Sequence, residues 1–383
     1  MSTVTLDQMR SKLLSVEDVA SVLSTTEPLS SVLLSSDTKT KFRLVPGWNE
    51  DLDGAGPTDS VEAYVTINGV ERQMTKEAAL AAGAQFGITG AYARKTPAAL
   101  IESHLDYWYT GGMGDKQFNA LTVGDTIAAF TRPTVTPFSN LNLLEQSVEG
   151  IQRRYGPDVE ILADYKVNNS LQRTDVRLIV PEASRTIVGG DLKDVPSGEA
   201  DLWSAGVHLT NSLIGKSQTS VEAYLFRWWC TNGATSILDA VGTWSRRSDG
   251  QGDDVYVWAA QAVDEVLGGM EHKFDEVQAL TSLNVAGNTA DVLREIFATY
   301  EVPVSQREQI TESLLESENL TMYAIMQAIT QVANGTDMDP MRADRLMRIG
   351  GALPTTTFDT LKAKVWAEGH KADPTAPNPY AIG

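Results

Sequence analysis

The sequence predicts an α+β chain: a central antiparallel sheet of meander type, with helices at the N-terminus and an acidic helical bundle at the C-terminus. Three observations predict it. Between residues 159 and 236, apolar runs rich in β-branched and aromatic residues are separated by Asn, Gly and Ser turn signals. Beyond Asp253, Leu, Ile, Met and Val recur at three- and four-residue steps among acidic residues, the pattern of packed amphipathic helices. Near the start, Ser15 with Asp18 three residues on marks a helix N-terminus.

In chain order, residues 7–23 read as one or two short amphipathic helices, and 35–60 as a loop around at most one strand. Ala63, Val65 and Ile67 alternate with polar residues and predict a strand turned by Asn68-Gly69. Thr75 precedes a helix, KEAALAAGAQF, and Thr96 is expected to cap the next one, with Pro97 at its first position. In that helix Leu100, His104, Leu105 and Trp108 share a face, where a histidine reads as a core or interface residue. The cluster Gly111-Gly112-Met113-Gly114 reads as a flexible turn. Residues 141–155 form an amphipathic helix whose Arg153 and Arg154 complement the macrodipole before Gly156-Pro157.

The strands follow. Val159–Val167 and Thr174–Val180 join through Asn168-Asn169-Ser170. Trp203–Ser236 supplies two more, flanking a polar turn of Asn211, Ser212, Gly215, Lys216 and Ser217. In the second, Val221, Tyr224, Leu225 and Trp228 also fit helical spacing. The aromatic content and the Asn232-Gly233 stop favour a strand buried on both faces. Residues 245–252 read as a loop. Helices are expected over 254–281, 288–299, 305–316, 319–334 and 339–349, the last with a stripe of Arg342, Arg345 and Arg348 expected to face carboxylates or solvent. The expected units are residues 1–60 (helices and loop), 61–252 (α+β core), 253–370 (helical region) and 371–383 (Pro-rich tail).

Composition narrows the function. Hydrophobic content of 42% and charged content of 21% are those of a folded chain. No apolar run is long enough to span a bilayer and no signal-peptide pattern opens the chain, so a cytosolic protein is expected. A single cysteine, Cys230, allows no internal disulfide and reads as a small buried hydrophobe. The net charge of −19 is uneven: −7 over residues 1–149, −1 over 150–250 and −11 over 251–383. Such a chain repels phosphate at long range, so a nucleic-acid contact must come from its near-neutral centre.

Several chemistries lack their residues. Gly215-Lys216-Ser217 ends like a phosphate loop, but Thr210 stands where that motif needs its first glycine. His104, His208, His272 and His370 show no metal-ligand spacing. There is no nucleophile elbow and no dinucleotide fingerprint. No cofactor or metal is implied, and nothing in the residues argues for an enzyme.

The stretch LTNSLIGKSQTSVEAYLFRWWCTNGATS, with MTKEAALAAG upstream and MYAIMQAITQVAN downstream, resembles a phage/plasmid-like protein family of unknown function. His208, Asn211, Ser212, Cys230, Asn232 and Gly233 are its motif-like positions, and the likeness runs over about residues 74 to 350. The resemblance implies a bacteriophage or mobile-element origin, a place in the host cytoplasm and an α+β fold, and supplies no catalytic residues. At fold level, several antiparallel strands followed by a long helix also resemble the β-β-β-α core of single-strand annealing proteins.

The expected function is therefore non-enzymatic binding or annealing of single-stranded DNA, in a ring or filament. The alternative is a virion component, or a factor binding other phage proteins. A strand-binding groove needs cations that track phosphates and rings that stack on bases. The candidate cations are Arg153, Arg154, Lys166, Arg173, Arg177, Lys216, Arg227, Arg246 and Arg247. Trp228 and Trp229 are possible platforms, although their apolar neighbours favour the core. Pairing of these cations with acids would remove the groove's physical basis.

Overall fold

A computed structural model describes residues 5–27, 30–49, 52, 59–133, 138–165, 173–190, 195, 199–214, 218–229, 235–237, 244–246, 253–285, 289–317, 319–335 and 340–353. Helices α1 (Leu6–Arg10) and α2 (Val16–Thr26) flank a two-residue strand, β1 (Leu14–Ser15). Each helix opens with a capping box, Thr5 with Gln8 and Ser15 with Asp18, the second as the sequence indicates.

The next part of the chain builds a sheet that the sequence signalled only in part. Strands β2 (Ser30–Leu34), β3 (Thr40–Leu44), β4 (Ser60–Ile67) and β5 (Val70–Thr75) precede α3 (Lys76–Ala84), α4 (Gly90–Lys95) and α5 (Ala98–Tyr107). A π-helical turn (Trp108–Gly112) continues α5, and β6 (Phe118–Val123) and β7 (Thr126–Thr131) follow. The strand order is β2-β6-β7-β5-β4-β3, and β5 and β7 run parallel, so this sheet is mixed. Asn68 (φ 52°) and Gly69 (φ 87°) make the β4–β5 turn, as their sequence suggests.

On one face of the mixed sheet, Phe42, Phe86, Tyr109, Phe118 and Phe130 form an aromatic core with ring centroids 4.9–6.4 Å apart. The edge strand β3 is shielded from above. The Phe42 amide donates to Asp106 Oδ1 at 2.7 Å and the Leu44 amide to Glu102 Oε2 at 2.9 Å. Both carboxylates come from α5, so the strand does not present these donors to a second chain.

Two local expectations need correction here. Thr96 does not cap α5, whose N-cap is Pro97; its hydroxyl donates back to the Tyr92 carbonyl and closes α4. Gly111 and Gly112 are not a flexible turn but part of the π-helical one. A Cβ at Gly112 would lie 2.4 Å from the Trp108 ring, so glycine lets the indole lie over the turn.

The second sheet is the expected meander. After α6 (Asn140–Tyr155) come β8 (Leu162–Tyr165), β9 (Thr174–Thr186), β10 (Leu202–Asn211), β11 (Thr219–Arg227), β12 (Thr235–Ile237) and β13 (Trp244–Arg246). The order is β1-β8-β9-β10-β11-β12, with β13 also on β11, and every pairing is antiparallel. All nine residues of β11 are buried, which settles 219–227 as a strand covered on both faces. The expected loop at 245–252 begins instead with strand residues to Arg246; its remainder, the turn 168–170 and the 371–383 tail lie outside the described residues.

Among the described residues six helices follow: α7 (Asp253–Gly268), α8 (Met270–Thr281), α9 (Thr289–Thr299), α10 (Val304–Leu315), α11 (Met322–Ala333) and α12 (Pro340–Ala352). The helix expected over 254–281 is two, broken at Gly268-Gly269, where helix propensity is lowest. Along β9–β11, Val176, Leu178, Val207, Leu209, Val221, Ala223 and Leu225 form a buried apolar face in one core with Leu143, Leu144 and Ile151 of α6 and Ala259, Ala262, Val263 and Val266 of α7. Helix α12 lies over the other face, and α11, almost wholly buried, packs between α8, α10 and α12. The α+β class with an antiparallel meander and a C-terminal helical bundle is therefore present. No helix among the described residues is long and apolar enough to cross a membrane.

The two sheets meet at the β10–β11 connection, where Leu213 and Ile214 pack on Leu121, Ala128 and Ala129 of the mixed sheet. This is the face opposite the aromatic core.

Gly206 marks the tightest approach in the meander. It stands at a β-bulge on β9, and a Cβ there would lie 2.1 Å from the Leu178 carbonyl oxygen. Gly206→Ala should therefore destabilise the fold by about 1–3 kcal/mol. Urea denaturation should show a lower midpoint at unchanged slope.

Candidate functional site

The polar face of the meander sheet carries the densest set of ionisable side chains. Alternation along β9 places Arg173, Asp175 and Arg177 on one side, and the register aligns them with neighbours. Asp164 lies opposite Arg177, Arg177 opposite His208, and His208 opposite Glu222. Helix α12 adds Asp344 and Arg348 from above. The result is a row across four strands, with a helix pinned to it.

The contacts are short and continuous. Arg177 Nη1 donates to Asp164 Oδ2 at 3.0 Å. Arg173 holds Asp175 through Nε and Nη2 at 2.8–3.0 Å and reaches Asp344 Oδ2 at 3.0 Å. Arg348 pairs with Glu222 Oε2 at 2.6 Å and Asp344 Oδ2 at 3.1 Å. His208, with no exposed surface, has Nε2 3.1 Å from Asp175 Oδ1 and Nδ1 3.8 Å from Glu222 Oε2.

Burial alone would depress the His208 pKa, but Asp175 and Glu222 raise it above the ordinary histidine value. Burial likewise opposes ionisation of Glu222, yet His208 and Arg348 bring its carboxyl down to about 2. Asp175, also opposed by burial, is held well below the usual carboxylate range by His208 and Arg173. With His208 protonated, four carboxylates face three guanidinium groups and one imidazolium, and the cluster is neutral. His208, Glu222, Arg177 and Asp344 are buried within it, Arg173, Asp175, Asp164 and Arg348 are partly exposed at its margin, and the set clamps α12 to the sheet.

A second buried network lies at the other end of β10 and β11. Arg227 Nε donates to Asp201 Oδ1 at 2.7 Å and Arg227 Nη1 to Gln327 Oε1 at 3.2 Å. The Tyr323 hydroxyl donates to Asp201 Oδ2 at 2.5 Å and accepts from Trp203 Nε1 at 3.1 Å. Burial first, and then the Asp201 charge, raise the Tyr323 pKa well above the ordinary value. Here Tyr323 and Gln327 dock α11.

These networks decide where the sequence candidates stand. Arg177 and Arg227 are buried structural cations, and the partly exposed Arg173 is held by Asp175 and Asp344. Arg153 pairs with Glu149 and Arg154 with Asp264, so both hold helices at the surface. Lys166, Lys216 and Arg247 lie outside the described residues, and Arg246 is described only by its backbone in β13. Trp228 and Trp229 are 1% and 6% exposed, with indole N–H groups donating to Ser204 Oγ and the Ala200 carbonyl, so neither is a stacking platform. In the last helix, Arg345 reaches Glu301 and Arg348 reaches Glu222, as carboxylate-facing residues.

Of the motif positions, His208, Asn211 and Ser212 point inward. Asn211 Nδ2 donates to the Phe138 carbonyl at 2.6 Å and to Asn140 Oδ1 at 2.8 Å, and its Oδ1 accepts from Thr219 at 2.7 Å. It ties the β10–β11 hairpin to the start of α6. Cys230, Asn232 and Gly233 lie outside the described residues. Asp164, Asp175, Glu222 and Asp344 are not among the candidates that the sequence suggests. A signal for three of the strands existed: Arg173-x-Asp175-x-Arg177, His208-x-Thr210 and Ser220-x-Glu222 each repeat polar residues at the two-residue period of one strand face.

The His208 pKa gives a pH signature. A histidine raised on folding contributes stability that is fully present below its unfolded value near 6.5 and is lost as pH rises through the folded value. The lowered Asp175 and Glu222 act oppositely: their stabilisation is present above about pH 4 and is lost as pH falls through their folded values. The melting temperature should therefore be highest between these limits and fall on the alkaline side. His208→Gln should remove the alkaline fall and cost about 3 kcal/mol, because two buried carboxylates lose a counter-charge. An unchanged alkaline limb in thermal melts of that variant would assign the pH dependence elsewhere.

The chain matches no protein-family model, no curated protein and no solved structure.

Proposed function

We propose that the chain binds single-stranded nucleic acid, with the contact at one end of the meander sheet. A convergence of strand ends supports this reading. β8 ends at Tyr165, β9 begins at Thr174, β10 ends at Asn211, β11 begins at Thr219 and β13 ends at Arg246. The register places all five at the same end of the sheet. In sequence, Lys166 follows the last residue of β8, Arg247 follows Arg246, the last residue of β13, and Lys216 falls between the end of β10 and the start of β11. The connecting sequences 166–173 and 212–218 contain no Asp or Glu. Local positive charge on an otherwise acidic chain is what a phosphate backbone requires. The resemblance to a phage/plasmid-like family, with the mobile-element origin and host cytoplasm it implies, suits such a role, as does the fold-level likeness to annealing proteins that assemble as rings or filaments.

A second reading, a virion component or a factor binding a basic protein partner, is favoured by the five arginines already held by carboxylates and by the net charge of −19.

Fluorescence anisotropy of a labelled oligo-dT across a salt series separates the two. Binding should be saturable and weaken with salt. Lys216→Ala combined with Arg246→Ala and Arg247→Ala should flatten the log–log salt slope by about 2, at about 0.7 per lost phosphate contact. Arg153→Ala and Arg154→Ala should leave it unchanged. No binding at low salt sinks the nucleic-acid reading and leaves the partner-binding one.

A further inference from the structure

Exposed aromatic side chains gather away from the meander sheet, on α4, α5 and the π-helical turn. Tyr107 is 64% exposed and Tyr92 41%, with Leu100 at 46% between them. His104 stacks on Tyr92 with ring centroids 6.1 Å apart and planes within 12°. Trp108 stacks on Phe86 at 5.3 Å and 8°, and Tyr107 meets the Trp108 ring edge-on at 5.2 Å. On α5 and its continuation, Leu100, His104, Tyr107, Trp108 and Gly111 repeat at three- and four-residue steps, so the rings line one helix face.

Charge on this face is sorted. The two acids of α5, Glu102 and Asp106, turn beneath it to accept the Leu44 and Phe42 amides. Among the described residues, the exposed charges adjoining the ring-bearing segments in sequence are Arg94, Lys95, Lys116 and the acid Asp115. Lys116 Nζ sits 5.3 Å from the Phe86 centroid, and neither Lys95 nor Lys116 has a carboxylate partner among the described residues. A cationic rim around flat rings, on a chain of net charge −19, complements a polyanion that offers planar bases. The charge-depleted core of a protein–protein interface fits this rim less well.

We infer that this face is a second contact for single-stranded nucleic acid: Tyr107 and the Tyr92–His104 pair stack unpaired bases, and Lys95 and Lys116 meet phosphates. The inference rests on the nucleic-acid reading and deepens it with a contact on the far side of the mixed sheet. There the aromatic core, not the Leu213–Ile214 joint, lies beneath the rings.

The test uses the full chain and labelled oligo-dT. Tyr107→Ala and Tyr107→Leu should each weaken binding about tenfold, since leucine keeps apolar area and removes the π-face. Tyr107→Trp should retain affinity, and Leu315→Ala, an exposed apolar change on α10, should do nothing. Lys95→Gln with Lys116→Gln should flatten the salt slope by about 1.4, whereas the Tyr107 variants keep it. If Tyr107→Ala binds as the parent while the Lys216, Arg246 and Arg247 variant does not, the stacking contact is overturned and the sheet-end reading stands. If the parent binds no oligonucleotide, both fall. If Tyr107→Ala alters the sedimentation mass of the free chain and not its affinity, the face joins copies of the chain, and the inference is overturned.

Discussion

Helix α12 sits on a face of the meander sheet that apolar packing alone would not have produced. Asp164, Arg177, His208 and Glu222 run across it with Asp175 and Arg173 one pleat away, and Asp344 and Arg348 close it from above. Taking such groups out of water costs several kcal/mol per ion unless each finds partners of good geometry. Here six of the eight groups touch two of opposite charge, Asp164 and Arg177 touch each other, and His208, when protonated, completes the balance. A network of this kind adds little net stability over a greasy contact, but it tolerates only one placement of α12. A shift of one helical turn would leave Glu222 without Arg348 and Arg173 without Asp344 in range. The network therefore specifies where the bundle docks more than how strongly.

The Asp201–Arg227–Tyr323–Gln327 set does the same for α11 at the opposite end of the same strands. Between them the two sets fix both helices that cover this part of the sheet. They also explain how β10 and β11 can be buried while carrying His208, Glu222 and Arg227: Glu222 meets Arg348 of α12, Arg227 meets Gln327 of α11, and His208 lies between Asp175 and Glu222 of the neighbouring strands. Arginine is suited to both places, since its fork serves two carboxylates at once, as Arg173 does with Asp175 and Asp344.

Much of this architecture was legible in the sequence, and the exceptions have physical reasons. The meander was visible because its turns are chemically marked and its strands rich in β-branched and aromatic residues. The C-terminal helices were visible because their apolar spacing is regular. Of the mixed sheet only β4 and its turn were, since β6 and β7 set Ala120, Ala128 and Ala129 among their larger buried residues and so carry no clean alternation. The candidate cations were legible as residues and not as roles. Arg177 on a strand looks the same in sequence whether it faces a phosphate or Asp164, and only the register across β8 and β9 distinguishes the two. The motif residues His208 and Asn211 likewise proved to be internal hydrogen-bonding groups, which a linear pattern cannot separate from a ligand site.

Commitment of side chains inside the fold also bears on where a ligand can bind. A cation paired with a carboxylate in the interior, as Arg227 is with Asp201, cannot be turned toward a phosphate without leaving that carboxylate uncompensated, at a cost exceeding what one surface phosphate contact returns. The meander sheet is thus a scaffold along most of its area. The mixed sheet has the opposite character. Its interior is aromatic and uncharged, its acids on α5 are turned under to seal β3, and its outer helices leave rings and lysines facing solvent. Two sheets joined at Leu213 and Ile214 can in this way divide the work: one holds the bundle in place through buried charge, and the other keeps its polar and aromatic groups available at the surface.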